Sequence, residues 1–130
     1  EIFKSEYYYL LKNIAEEFPN KVGFYSRGKT YSDLEVIFTL PFAGIGFDHT
    51  IDLSRIFNSN SNGFVQGNFN EQFMILEEND FINKLSNYIK EIKDSPNRDG
   101  WICGLGHGIN KHTPEKNVHI FIESIRKHFS

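Results

Sequence analysis

The sequence predicts an α/β fold in which four short parallel strands each lead into a helix. Apolar residues recur at helical spacing in separate segments, as at Ile82, Leu85, Ile89 and Ile92. Between those segments lie short apolar runs such as "FAGIGFDH" with little polar alternation, as expected of parallel strands covered on both faces. Runs and helical segments also take turns along the chain, which favours β/α units over a sheet and a bundle kept apart.

The elements follow in order. Phe3, Tyr7, Leu10, Leu11, Ile14 and Phe18 share one helix face between Ile2 and Phe18, and Pro19-Asn20 stops it. Val22 to Tyr25 is the first strand. Ser32 and Glu35 have capping-box spacing and open a helix from about Asp33 to Leu40, ended by Pro41. "FAGIGFDH" is the second strand, Ile51 to Phe57 a short helix, "NSNSNG" a polar loop and Phe64 to Gln66 the third strand. The long amphipathic helix around Ile82 to Ile92 ends at the turn "DSPNRDG", and Trp101, Ile102 and Cys103 form the fourth strand. Gly104, Gly106 and Gly108 then make a turn where backbone must come close to something. Thr113 is expected to cap the last helix and Pro114 to be its first residue, because proline has no amide hydrogen to leave unpaired there. Val118, Phe121, Ile122, Ile125 and Phe129 line that helix.

Composition bounds the function. A chain of 130 residues, 39% hydrophobic and 15% aromatic, fits one folded domain. A formal charge of −3 offers no basic face for nucleic acid or an anionic membrane. One cysteine excludes an internal disulfide framework and any multi-cysteine zinc site, which fits a reducing compartment. No apolar run approaches the roughly 20 residues of a membrane span, and "EIFKSEYYYL" lacks a signal-peptide pattern, so a cytoplasmic protein is expected. The chain starts at Glu1 rather than a methionine and is expected to be a fragment of a longer one.

Two architectures meet these constraints: an open doubly wound sheet, and half of a (β/α)8 barrel, which takes about 250 residues when whole. In both, chemistry gathers at the C-terminal ends of the strands. Those ends hold Arg27 and Lys29, Asp48 and His49, Gln66 and Asn68, and His107. Arg27 and Lys29 read as solvated loop charges, Gln66 and Asn68 as partners for buried rim backbone, and Cys103 as a small buried hydrophobe. Asp48 and His49 read as a donor pair at a cleft or, at least as readily, as a capping aspartate or a structural hydrogen bond. His112, His119 and His128 share no ligand spacing and read as surface residues.

The string "GLGHGINKHTPEKNV" resembles the C-terminal signature of the uroporphyrinogen decarboxylase family, N-L-G-H-G-I followed after a short spacer by P-E-N-V. "FVQGNFNEQFMI" is similar to that family's L-Q-G-N-L-D-P segment, and "AGIGFDHTIDLSRIF" to its G-L-D-W segment. "YLLKNIAEEFPNKVGFYSRG" is similar to the helix and strand before it. The resemblance implies the C-terminal half of a (β/α)8 TIM barrel. It also implies cofactor-free removal of four acetate carboxyls from uroporphyrinogen, a tetrapyrrole, to give coproporphyrinogen. It carries over one site residue, His107, as a substrate-binding donor, with no metal ligand. The family's arginine-rich segment, central aspartate and active-site tyrosine have no counterpart here. The pattern changes at Gly104 (Asn in the family), His49 (Trp), Asn70-Glu71 (Asp-Pro) and Glu115-Lys116 (Pro-Glu).

Other readings stand beside it. "GLGHGI" has glycine at the first and third places but isoleucine at the sixth, a weak dinucleotide signal. An anion- or tetrapyrrole-binding half barrel without catalysis is an alternative. So is a relative of the corrinoid-linked methyltransferases, which carry a zinc-binding cysteine where His107 stands; Cys103 lies four residues upstream. A half barrel also leaves the first and fourth strands as open edges, so a homodimer is expected. Val22, Phe24, Ile45, Phe47, Val65 and Ile102 are expected to fill the core or the contact.

Overall fold

The computed structural model describes residues 2–59 and 63–129; the middle of the "NSNSNG" loop, 60–62, and the Phe3 side chain lie outside the described residues. The order is α1 (Ile2–Glu17), β1 (Gly23–Tyr25), α2 (Tyr31–Ile37), β2 (Gly44–Gly46), α3 (Leu53–Phe57) and β3 (Phe64–Gln66). A 3-10 turn (Glu71–Ile75), α4 (Glu78–Asp94), β4 (Trp101–Ile102) and α5 (Glu115–Phe129) complete it. All four strands are parallel and lie side by side in chain order, each followed by a helix. A doubly wound sheet reverses its strand order at a switch point, whereas this one does not. The arrangement is that of four consecutive units of a (β/α)8 barrel.

Register explains which face is buried. Phe24, Ile45, Val65 and Trp101 are lateral neighbours across the four strands and point toward the helices. Phe24, Ile45 and Val65 are buried there with Phe47, and Val22 packs against them. The opposite face carries a row of Gly23, Gly44 and Phe64 and a row of Tyr25, Gly46, Gln66 and Ile102. The Phe64 ring lies over Gly44 and reaches Gly23, filling space that a side chain on Gly44 would need. Tyr25 and Ile102 remain nearly half exposed. Burial on both faces, expected from the apolar strands, therefore holds only for β2. The helices cover one face, and the other looks into what would be a barrel interior.

Two apolar clusters hold the helices down. Leu34 and Ile37 of α2 and Leu53, Ile56 and Phe57 of α3 pack on the sheet with Ala15 of α1. Phe69 centres the second cluster, with Phe73, Phe81, Tyr88 and Phe121 at ring separations of 5.3–6.1 Å. That cluster clamps the 3-10 turn, α4 and α5 together.

Several local expectations shift. The capping box of α2 is Thr30 with Asp33, two residues before Ser32 and Glu35, and the helix ends at Ile37 rather than Leu40. Thr30 is the residue that takes the extended conformation a cap needs. The last helix starts at Glu115: the Pro114 carbonyl accepts from the Val118 amide, and the buried Thr113 hydroxyl has no partner among the described residues. Ile122 of α5 is exposed and Ile120 packs instead. Leu10 and Ile14 of α1 and Phe18 just past it are exposed, while Tyr7, Tyr8 and Leu11 face the core.

Candidate functional site

The loops after the strands are tied into one rim by backbone spacing and a few buried polar groups. Beyond β3 and β4 the ladder continues: the Gly67 amide donates to Ile102, Phe69 to Gly104, and Gly106 back to Phe69 at 2.7 Å. The glycine turn is thus carried across the sheet to the end of β2. A Cβ on Gly106 would stand 2.7 Å from the His49 nitrogen and 3.2 Å from Asp48 backbone. That is the close approach the glycines signal; Gly108 has open space and Gly104 only ordinary contact with Gln66.

Asp48 and Asn68 lock this rim. The buried Asp48 carboxylate accepts from the Gly28 amide of the loop after β1 and from the Thr50 amide and hydroxyl. Burial pushes its carboxyl up, but these hydrogen bonds, with some help from His49, outweigh that and hold it below the ordinary carboxylate range. Asn68 is buried and donates through Nδ2 to the carbonyls of Asp48 and Ile51, the structural role its sequence position suggests. The Tyr88 hydroxyl and the Trp101 indole both donate to the Gly67 carbonyl. Gln66 does not share that role: its side chain is exposed on the open face beside Gly104.

On this frame the strand ends present Tyr25, Arg27, His49 and Glu71. Glu71 opens the 3-10 turn and is 7% exposed. One of its oxygens lies 3.5 Å from His49 Nδ1 and the other 4.0 Å from an Arg27 guanidinium nitrogen. The Tyr25 hydroxyl, raised above its ordinary pKa by burial and then by Asp48, with Arg27 opposing, donates to the Gly106 carbonyl. Neither Tyr25 nor Glu71 is singled out by the sequence; the only signal for Glu71 is its place where the resemblance has proline.

His107 lies beyond β4 in the glycine turn, next to the buried Gly106, and its imidazole is exposed with no partner among the described residues. Lys29 sits over the Tyr7 ring, and Arg27 is half exposed. His112, His119 and His128 are exposed and apart from the rim; His119 pairs with Glu115 and His128 with the Ser124 carbonyl. Cys103 falls just past β4, half buried, and burial pushes its thiol up to about 12. Among the described residues no group of three or more His, Cys, Asp or Glu side chains could hold a metal ion. A cleft of about 820 Å3 runs between α3 and α4 past Glu91 and Ser95, and at its other end it reaches the strand-end residues His49, Asn68 and Asn70. No helix among the described residues is long and apolar enough to cross a membrane.

Comparison with known proteins gives a consistent picture. The family model described as uroporphyrinogen decarboxylase (URO-D) matches residues 1–128. The uroporphyrinogen decarboxylases of Orientia tsutsugamushi strains Ikeda and Boryong are 28% and 30% identical to this chain over 124 residues, covering 93% of it and 35% of each relative. That of Synechococcus sp. strain JA-2-3B'a(2-13) is 40% identical over 63 residues, 48% of this chain and 17% of the relative. The chain therefore spans about a third of the length of the curated relatives it matches most fully.

Proposed function

Because this chain belongs to the uroporphyrinogen decarboxylase family, we propose that it supplies four β/α units of a barrel that decarboxylates the four acetate side chains of uroporphyrinogen III. The observation that carries this is the coincidence of a family match over nearly the whole chain with four parallel units whose C-terminal ends meet in one polar rim. Departure of carbon dioxide from a pyrrole acetate needs an electron sink, which a protonated pyrrole provides. The protein then has to place charge: a carboxylate near the pyrrole nitrogens and donors around eight peripheral carboxylates. His107, exposed on the glycine turn, suits the second task as a carboxylate donor. No cofactor is needed for this chemistry, and a cytoplasmic location fits it.

The first task belongs to residues outside these four units. The chain alone is therefore expected to be inactive, and to need a partner that covers the open face. In the isolated, inactive chain a second copy is our proposed cover for that face, since β1 and β4 are free edges and Tyr25 and Ile102 on them are nearly half exposed. Co-expression with a polypeptide carrying the other four β/α units, followed by chromatography of oxidised porphyrin products, tests the proposal. Coproporphyrin should appear only with the complement. A complemented barrel that leaves uroporphyrinogen intact overturns it.

A further inference from the structure

His49 and Glu71 depart from the family pattern in two separate segments, yet the fold sets them side by side. Their contact is incomplete in an informative way. His49 Nδ1 and one Glu71 oxygen are both enclosed, both without a hydrogen-bond partner among the described residues, and 3.5 Å apart. Enclosed polar atoms are rarely left unpaired, because each then bears its full desolvation cost. The remaining Glu71 oxygen faces Arg27 at 4.0 Å, and that guanidinium is 55% exposed with no hydrogen bond among the described residues. The Asp48 carboxylate spends its hydrogen bonds on the Gly28 amide and on the Thr50 amide and hydroxyl rather than on His49 or Arg27.

Here one buried anion anchors two cation-forming side chains, from the ends of β1 and β2, that remain only partly engaged. Arg27 offers a planar fork matched to a carboxylate, and His49, whose one side-chain contact among the described residues is made through Nδ1, leaves Nε2 to a ligand. We propose that Arg27 and His49 form a carboxylate-binding subsite at the rim, with Glu71 as the positioning residue that holds both. The ligand class is a carboxylate arm of a polyanionic molecule. This deepens the tetrapyrrole reading and rests on it for the identity of the natural ligand.

The test uses the 130-residue chain with benzene-1,3,5-tricarboxylate as probe and imidazole 15N resonances as readout. Titration should move the His49 resonances, and R27Q or H49Q should weaken binding at least tenfold. E71Q should weaken it too and should change which His49 nitrogen carries the proton, tying the loss of affinity to the imidazole that Glu71 orients. R27Q, at a half-exposed position, keeps the test valid if H49Q fails to fold. Unmoved His49 resonances at saturation, wild-type affinity in R27Q, or equal competition by sulfate overturns the subsite. A subsite that binds the probe within a complemented barrel inert toward uroporphyrinogen would instead overturn the decarboxylase reading alone.

Discussion

The Tyr25 hydroxyl donates to the Gly106 carbonyl at 2.7 Å, joining the end of β1 to the glycine turn after β4 across the open face of the sheet. The two residues are 81 positions apart, and the Tyr25 ring crosses Gly46 of β2 on its way, 3.1 Å from where a Cβ would stand. The outermost strands of the sheet are thereby linked through side chain as well as ladder.

Tyr25→Phe removes only the oxygen. It should cost ~0.5–1.5 kcal/mol, the usual net worth of a neutral hydrogen bond, and should speed amide exchange at Gly106 more than within β2. Denaturant unfolding together with hydrogen exchange checks this. Unchanged exchange at Gly106 would show that the turn is held by its ladder to Phe69 alone.

Gly106→Ala tests the close approach directly. The new methyl would press on the backbone of Asp48 and His49, which cannot swing aside as a side chain can. A loss of about 1–3 kcal/mol, typical of overpacking, is expected, whereas Gly108→Ala, with nothing within 4 Å, should be nearly neutral. Equal effects of the two substitutions in thermal unfolding would contradict the placement.

Asn68→Ala removes two donors from buried carbonyls, those of Asp48 and Ile51. The Asp48 carbonyl keeps the Ile51 amide as a donor, but a buried acceptor that loses its partner costs about 1–3 kcal/mol, so this change should destabilise more than Gln66→Ala at an exposed position. Reversal of that order in urea unfolding would remove Asn68 from the rim frame.

The alternation of strands and helices and the glycine approach were legible because periodicity and glycine spacing are local signals, whereas the strand order was implied only by the family resemblance. The Asn68 role was legible too, since an amide at a strand end has buried backbone to satisfy. The cap of α2 was misplaced because Thr30 and Ser32 both have an acidic residue three positions on, and only backbone conformation chooses between them. The half-open sheet was misread because Gly23 and Gly44 look like apolar strand residues, while it is the Phe64 ring that fills their side. His49 and Glu71 could not be paired from sequence: they belong to different β/α units, and nothing in either segment points to the other.

Cys103 should be a slow thiol. Burial pushes its pKa to about 12, so near pH 8 its thiolate fraction is roughly a thousandfold below that of an ordinary cysteine. Alkylation by iodoacetamide should be slow in the native chain and fast in urea. Matching rates would place the sulfur in water, and would revive a metal-thiolate reading of this strand end.

Asp48 governs the acid limit of the rim. Its carboxyl is lowered in the folded chain, because the Gly28 and Thr50 donors outweigh burial, whereas in the unfolded chain it returns to about 3.9. Folding therefore favours the deprotonated form. The stabilisation is fully present above that unfolded value and fades as pH falls through the lower folded one. Asp48→Asn keeps the shape but turns an NH2 group toward donors that need an acceptor, so it should lower stability at neutral pH. It should also flatten the decline between about pH 5 and pH 2. Urea midpoints measured across that range for both chains decide the matter: an acid slope in D48N as steep as in the parent would mean that other carboxylates, not Asp48, carry the acid sensitivity.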